Sequence, residues 1–240
     1  MLAAQPNVQQ DLSISRTQRV YEELLRRIIA GEIAQGEFLS EIKLANDFQS
    51  SRTPIREACI HLYKEGFLRV APHKGYVVTE VSLEEIRELY ELRQVLEPRA
   101  AERAAATNLG PQFRAECEEL IQLTRKLSEG ERTYEAFVQL GQAEYGFHRA
   151  IAKAGGNKKW LKFMDEIMNQ FRRFHFVCFR TSPWMKGTAE EHARILDAIC
   201  RHEVENAGVL MQRHVTEGAE RGIQLFMGAV ANGAGFQHRG

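Results

Sequence analysis

From Ser82 onward the chain has no alternating run of β-formers. Its apolar residues recur three and four apart, the spacing that lines one face of a helix. Stripes of that kind are buried only when helices pack on one another, so this part of the chain is expected to be an all-α helical bundle. Ser82 and Glu85 form a capping box ahead of "SLEEIRELYELRQVLEPRAAERAAAT". Pro98 offers a kink or break inside that segment. Further helices are expected at about 111–129, 133–154, 157–180, 188–202 and 203–229, with Thr188 and Glu191 as a second capping box.

Ahead of residue 80 the texture differs. "RTQRVYEELLRRIIAGEI" sets Val20, Leu24 and Ile28 on one helical row and stops at Gly31. "SEIKLANDF" starts a second short helix with Ser40 as N-cap. Thr53 caps a third, with Pro54 at its first position, and that helix buries Ile55, Cys59, Leu62 and Tyr63 before Gly66 ends it. "FLRVAPHKGYVVTE" reads as strand, turn, strand. The expected organisation is a tail over residues 1–14, a winged helix-turn-helix over 15–80, the helical bundle over 81–230 and a second tail over 231–240.

The third helix places Arg52 and Arg56 at its N-terminus, where the helix dipole favours carboxylates. Cations there are useful if that end faces a polyanion. With Thr53 on the same face, they can reach guanine edges or phosphates of double-stranded DNA, and Glu57 is placed to orient an arginine. The tip His73-Lys74-Gly75 can reach a minor groove or a phosphate, with Gly75 allowing close backbone approach. The plainer reading is a solvated charged helix. The chain's 32 basic and 32 acidic residues cancel, so a basic surface has to be local.

The segment "VYEELLRRIIAGEIAQGEFLSEIKLANDFQSSRTPIREACIHLYKEGFLRVAPHKGYVV" resembles the N-terminal domain of the GntR family of bacterial transcription regulators. The resemblance implies operator binding by a homodimer, with Arg52, Thr53 and Arg56 on DNA and the wing glycine at the minor groove. Where some members carry an arginine in the second helix this chain has Ile42, which leaves Lys43 as the substitute contact.

In the helical part, Glu144 and His148 are four apart on a stripe with Phe137, Leu140 and Ile151. His192 shares a row with Ile195, Leu196 and Ile199, and His214 with Ala207, Leu210, Met211 and Gly218. Polar groups on inward faces are costly unless paired or ligated. Three histidines and a carboxylate suit Zn²⁺ or another first-row divalent ion. Taken singly, each histidine reads more readily as a satisfied core or boundary residue than as a ligand. His175 lies on an apolar row with Met164, Ile167 and Phe171, so periodicity alone does not choose the ligands.

"ELYELRQVLEPRAAERAA", "FHRAIAKAGGN", "EEHARILDAI" and "MQRHV" are similar to the FCD type of effector domain found in one GntR subfamily. That resemblance implies a divalent metal held by Glu144, His148, His192 and His214, zinc first, with Ni²⁺, Mn²⁺ and Fe²⁺ admitted by the same donors. The subfamily usually has aspartate at the position of Glu144. It also implies a small organic or sugar acid as effector. Arg93 is placed to hold its carboxylate, unless it pairs with Glu97 one turn on, and His175 to line the cavity. Arg172 and Arg173 are read as solvating helix positions, and Phe171, Phe174, Phe176, Phe179 and Trp184 mostly as core or dimer contacts, with a pocket wall as the alternative for one or two of them.

A ligand-responsive regulator is therefore expected, not an enzyme. The alternatives are a metal-dependent enzyme and a direct metal sensor built on the helical part. Cys59, Cys117, Cys178 and Cys200 are scattered without a CxxC pair, the N-terminus lacks a signal-peptide pattern, and no stretch approaches a membrane span. A cytoplasmic protein with no membrane partner is expected.

Overall fold

The computed structural model describes residues 15–29, 32–72, 74–131, 133–179 and 187–231. The chain divides between Thr79 and Glu80 into two compact units. His73, Gly31 and Trp184 lie outside the described residues, as do the side chains of Arg172, Arg173, Phe176 and Phe179.

The first unit runs α1 (Arg16–Ile29), β1 (Phe38–Leu39), α2 (Glu41–Asp47), α3 (Arg52–Lys64), β2 (Leu68–Ala71) and β3 (Gly75–Val78). Leu24, Ile55, Ala58, Cys59 and Leu62 are fully buried where α1 packs on α3. Tyr63, expected inside, is 49% exposed: it follows Leu62 by one helical step and so faces off the stripe. The N-cap of α3 is Ser51, not Thr53, which puts Pro54 at the third helical position. That position also tolerates a missing N–H, because the first turn has no intrahelical acceptor for it. The sheet has order β1-β3-β2, all antiparallel, with Leu39 opposite Tyr76 and Val70 opposite Tyr76 on the other side. Two-residue β1 carries no readable alternation and adds a third strand to the hairpin that the sequence predicts. At Gly75, φ is +103° and an added Cβ would sit 2.4 Å from the Leu39 carbonyl oxygen. The glycine read as giving access to DNA is thus required by the sheet itself. These elements make a winged helix-turn-helix.

The second unit is all helix: α4 (Leu83–Ala105), α5 (Pro111–Glu129), α6 (Tyr134–Ala154), α7 (Lys158–Phe179), α8 (Thr188–Cys200) and α9 (Val204–Ala231). The Ser82 hydroxyl accepts from the Glu85 N–H, as expected, and the Thr133 hydroxyl accepts from the Ala136 N–H to start α6. α4 runs unbroken through Pro98. Small residues let it lie along α9: Ala100, Ala101, Ala104 and Ala105 on one helix and Ala207 on the other are buried. The Tyr90 hydroxyl donates to the Gly218 carbonyl oxygen at 2.9 Å across this contact. The core fills with Ile86, Phe147, Ile151, Met164, Phe171, Phe174, Ile195 and Leu196, all below 2% exposure. Each such large side chain contributes about 1.5–3 kcal/mol by leaving water. The second capping box does not form. Gly187 is the N-cap of α8 in a left-handed conformation, Thr188 is buried as the first helical residue, and the Glu191 side chain turns elsewhere.

Candidate functional site

The exposed tip of the first unit is built by α2 and α3. Arg52 and Arg56 extend outward, with side chains 59% and 57% exposed. Both hold Glu41, the first residue of α2, whose own side chain is only 14% exposed. Arg56 donates from Nε to Oε1 at 3.0 Å and from NH2 to Oε2 at 2.9 Å, and Arg52 NH2 donates to Oε2 at 3.1 Å. The Arg56 hydrogen bond, opposed by burial and helped by Arg52, holds the Glu41 carboxyl below its ordinary range. Glu57, expected to do this, instead accepts from the Thr17 hydroxyl at 2.7 Å. Thr53 and Lys43 are exposed, and so is Lys74, whose ammonium stands 5.3 Å from the centre of the Phe38 ring.

In the second unit, helical spacing brings together four groups from three helices. α6 supplies Glu144 and His148 one turn apart, α8 supplies His192 and α9 supplies His214, and all four are buried. Their candidate ligand atoms lie within 4.8 Å of one another. His148 Nε2 is 3.3 Å from His214 Nε2 and 3.3 Å from Glu144 Oε1, and His192 Nε2 is 3.4 Å from His214 Nε2. His192 Nε2 is 3.6 Å from Glu144 Oε2. Donors placed about 2.0–2.1 Å from a tetrahedral ion stand about 3.3–3.4 Å apart, so this is the spacing of a ligand set. Among the described residues, Glu144 Oε2 is buried without a hydrogen-bond partner, a cost of about 1–3 kcal/mol that a cation would remove. Glutamate in place of the usual aspartate still reaches the cluster. These residues fit a divalent metal ion.

The far sides of two imidazoles are held by carboxylates. His148 Nδ1 lies 2.5 Å from Glu97 Oε2, an ion-pair contact outside hydrogen-bond geometry, and His214 Nδ1 makes a hydrogen bond with Glu191 Oε2 at 2.7 Å. Such contacts fix the ring and direct Nε2 inward. His192 has no such contact among the described residues; its ring stacks on Phe147 at 3.9 Å instead, and its Nδ1 has no hydrogen-bond partner among them. Burial lowers His192 well below the ordinary histidine range. Burial would lower His148 too, but the Glu97 and Glu144 carboxylates hold it up, at about 9. Glu144 is driven up by burial and more strongly down by His192 and His148, and ends well below the carboxylate range.

Arg93 sits beside this cluster, 3% exposed. Its Nε donates to Glu97 Oε1, the pairing the sequence offered as an alternative, and NH2 reaches His148 Nε2 at 3.3 Å. The guanidinium carbon lies 4.8 Å from the Phe171 ring centre. A small cavity is lined by Arg93, Glu144, His175, Thr188, His214 and Arg221, among others. His175 is buried, with its ring edge-on to Phe171 at 5.5 Å, and burial pushes it down to about 3. It lines the cavity and is not one of the four converging groups. Arg221 donates to Glu191 at 3.1 Å. Glu191, Arg221 and Glu41 gain these roles only from contacts between helices; Glu97 is marked by its one-turn spacing to Arg93, but not as the partner of His148.

The sequence matches the family model described as "Bacterial regulatory proteins, gntR family" over residues 16–78 and the FCD domain over residues 88–217. It is 33% identical over 182 residues to the gluconate operon transcriptional repressor of Bacillus licheniformis, covering 75% of this chain and 70% of that one. It is 24% identical over 210 residues to the transcriptional repressor RspR of Escherichia coli, covering 87% of this chain and 89% of that one. Among solved structures, E. coli McbR/YncC superposes with a TM-score of 0.67 at 23% identity, over 88% of this chain and 99% of that one.

Proposed function

The chain belongs to the GntR family of bacterial regulatory proteins and carries an FCD domain, and we propose that it is a homodimeric regulator whose operator affinity is set by a metal-assisted acid sensor. It is a DNA-binding transcriptional regulator and not an enzyme. The winged helix-turn-helix, over about residues 15–80, presents Arg52, Thr53 and Arg56 to the major groove of a palindromic operator, with Lys43, His73, Lys74 and Gly75 at its flanks. The helical domain that follows binds the effector and makes the dimer. Among the described residues no helix is long and apolar enough to cross a membrane. We place the protein in the cytoplasm, where its DNA is.

The observation that carries the sensor reading is the convergence of three Nε2 atoms and the Glu144 carboxylate on one point, with Arg93 at its edge. Glu144, His148, His192 and His214 hold the ion. Three nitrogens and one oxygen at this spacing favour Zn²⁺ among the first-row divalents. Bound there, the ion offers open positions to the oxygens of a small acid. Charge supports the ligand class. Arg93 offsets Glu97, and Arg221, which also meets Glu217 at 3.6 Å, offsets Glu191; among the described residues that leaves Glu144 as the carboxylate directly against a divalent ion. The remaining positive charge, enclosed by protein, calls for an anion. A monocarboxylate completes it, with Arg93 on one oxygen and His175 and Thr188 on the body. The gluconate operon appears in one relative's name, which puts sugar acids among the first acids to screen. Acid binding then shifts the dimer between states of different operator affinity, by an amount that DNA must return to the acid.

The test is metal content of the protein as purified, beside Glu144→Ala and His148→Ala, followed by thermal-shift screening of carboxylic acids on the loaded form. Near-stoichiometric metal that both variants lose, with a stabilising acid, supports the sensor. Metal without any stabilising acid, together with metal-dependent DNA binding, turns the reading to a direct metal sensor. No metal under any loading overturns both.

A further inference from the structure

Arg52 and Arg56 are held by a carboxylate that a DNA-facing surface would otherwise be better without. Glu41 places a negative charge between two cations at the tip of α3, so the three side chains together carry a net charge of one instead of two. For a surface that only neutralises phosphates, that is a loss. Its geometry indicates what is gained. Glu41 is mostly buried at the start of α2, where the helix dipole favours a carboxylate. It grips Arg56 by Nε and NH2 at once, which fixes the plane of that guanidinium, and it reaches Arg52 with the same Oε2. The remaining N–H groups of both arginines sit on side chains more than half exposed. A guanidinium fixed in plane loses less freedom when it takes the two acceptors on a guanine edge. A loose one makes phosphate contacts, which carry no sequence information.

We propose that Glu41 is a specificity-determining positioning residue, which sets Arg52 and Arg56 to read base edges at the expense of general affinity for DNA. The proposal rests on the reading of α3 as the recognition helix. Glu41 and the arginines are 11 and 15 residues apart in sequence, so the link is made only by the packing of α2 on α3.

The test uses the full-length chain. A duplex is selected by the wild type from a randomised pool, and its binding is compared with that of a random-sequence duplex of equal length at several salt concentrations. Variants are Glu41→Gln, Glu41→Asp, Arg56→Lys and Arg56→Ala, with thermal unfolding recorded for each. Glu41→Gln is expected to bind the random duplex as tightly as wild type or more tightly, with a steeper salt dependence. Its preference for the selected duplex is expected to fall roughly ten- to a hundredfold, the worth of a bidentate base contact. Arg56→Lys keeps the charge and loses the fork, so it should show the same loss of preference. Glu41→Asp should retain part of it. Glu41→Gln weakening both duplexes in parallel would show a merely structural residue and overturn the proposal. So would an unchanged preference in both Glu41→Gln and Arg56→Lys. If Arg56→Ala binds the selected duplex as wild type does, the recognition-helix reading itself fails and takes the proposal with it.

Discussion

Arg93 NH2 lies 3.3 Å from His148 Nε2, the ring nitrogen that also faces Glu144 and His214. A ring nitrogen has one lone pair, so it cannot serve both a guanidinium N–H and a bound cation. Once the site is loaded, Arg93 keeps Glu97 and has an N–H free for an anion. Acid binding is therefore expected to follow metal binding. A carboxylic acid chosen by the thermal-shift screen should give no shift with chelator-stripped protein and a clear one with metal-loaded protein. Arg93→Lys keeps the buried charge against Glu97 but loses the fork. It should retain stoichiometric metal and bind the acid at least about tenfold more weakly, the cost of one charge-assisted hydrogen bond. Equal acid binding with and without metal would rule out the order.

The carboxylates behind the imidazoles are expected to tune the proposed metal site. Glu191 holds His214 Nδ1 at 2.7 Å and accepts from Arg221. Glu191→Gln should weaken metal binding by about 10–100-fold, measured by competition with a chromophoric chelator, while leaving the stoichiometry intact. Glu97→Gln acts on His148 in the same way, and it also leaves Arg93 buried without its counter-charge, so its unfolding temperature should fall further than that of Glu191→Gln. Stripping metal from the wild type should itself lower stability. An ion at a hundred times its dissociation constant contributes about 2.7 kcal/mol, or about 5–10 °C for a chain of this size.

The buried His/Glu cluster was partly legible because its members lie on periodic faces. Glu144 and His148 are one turn apart on a buried stripe, and His192 and His214 each fall on apolar rows. What periodicity could not do was exclude His175, which is buried on an equally apolar row yet stands outside the cluster. The family resemblance made that choice, and the packing of α6, α8 and α9 brings the chosen four together. Helix existence was readable from 3.6-residue spacing, and the Ser82 cap from its local box. Contacts across long sequence separation were not. Glu41 with Arg56, Glu97 with His148 and Glu191 with His214 all need two helices to meet. Local signals also misplaced two helix starts. Thr53 and Thr188 both look like caps, but the chain enters each helix earlier, at Ser51 and Gly187.

Gly75 separates a folding role from a DNA role. Its φ of +103° and the Leu39 carbonyl oxygen 2.4 Å from a built Cβ leave no room for a side chain. Gly75→Ala should destabilise the first unit by roughly 2–4 kcal/mol, through strain and displacement of β1 from β3. The loss should appear in urea unfolding without DNA present. Lys74→Ala, on an exposed side chain, should leave stability within about 0.5 kcal/mol of wild type and lower DNA affinity with a shallower salt dependence. If Gly75→Ala unfolds like wild type and loses only DNA binding, the wing glycine acts at the groove and not in the sheet.

Two buried thiols report separately on the two units. Cys59 lies in the core of the first and Cys117 in that of the second, both fully buried. Burial disfavours the thiolate and pushes each up to about 12. The folded state thus keeps a proton that the unfolded chain releases near pH 8.5. The sign follows: this part of the stability is complete below about pH 8.5 and declines by about 1.4 kcal/mol per pH unit for each thiol above it, until the folded groups themselves ionise. Alkylation at pH 8 with peptide mapping should leave Cys59 and Cys117 unmodified in the native protein. In a urea series, Cys59 should become reactive when the first unit opens and Cys117 when the second does. Zinc should shift only the Cys117 transition to higher urea, because all four proposed ligands belong to the second unit. A zinc-induced shift of the Cys59 transition by the same amount would mean that the two units unfold together.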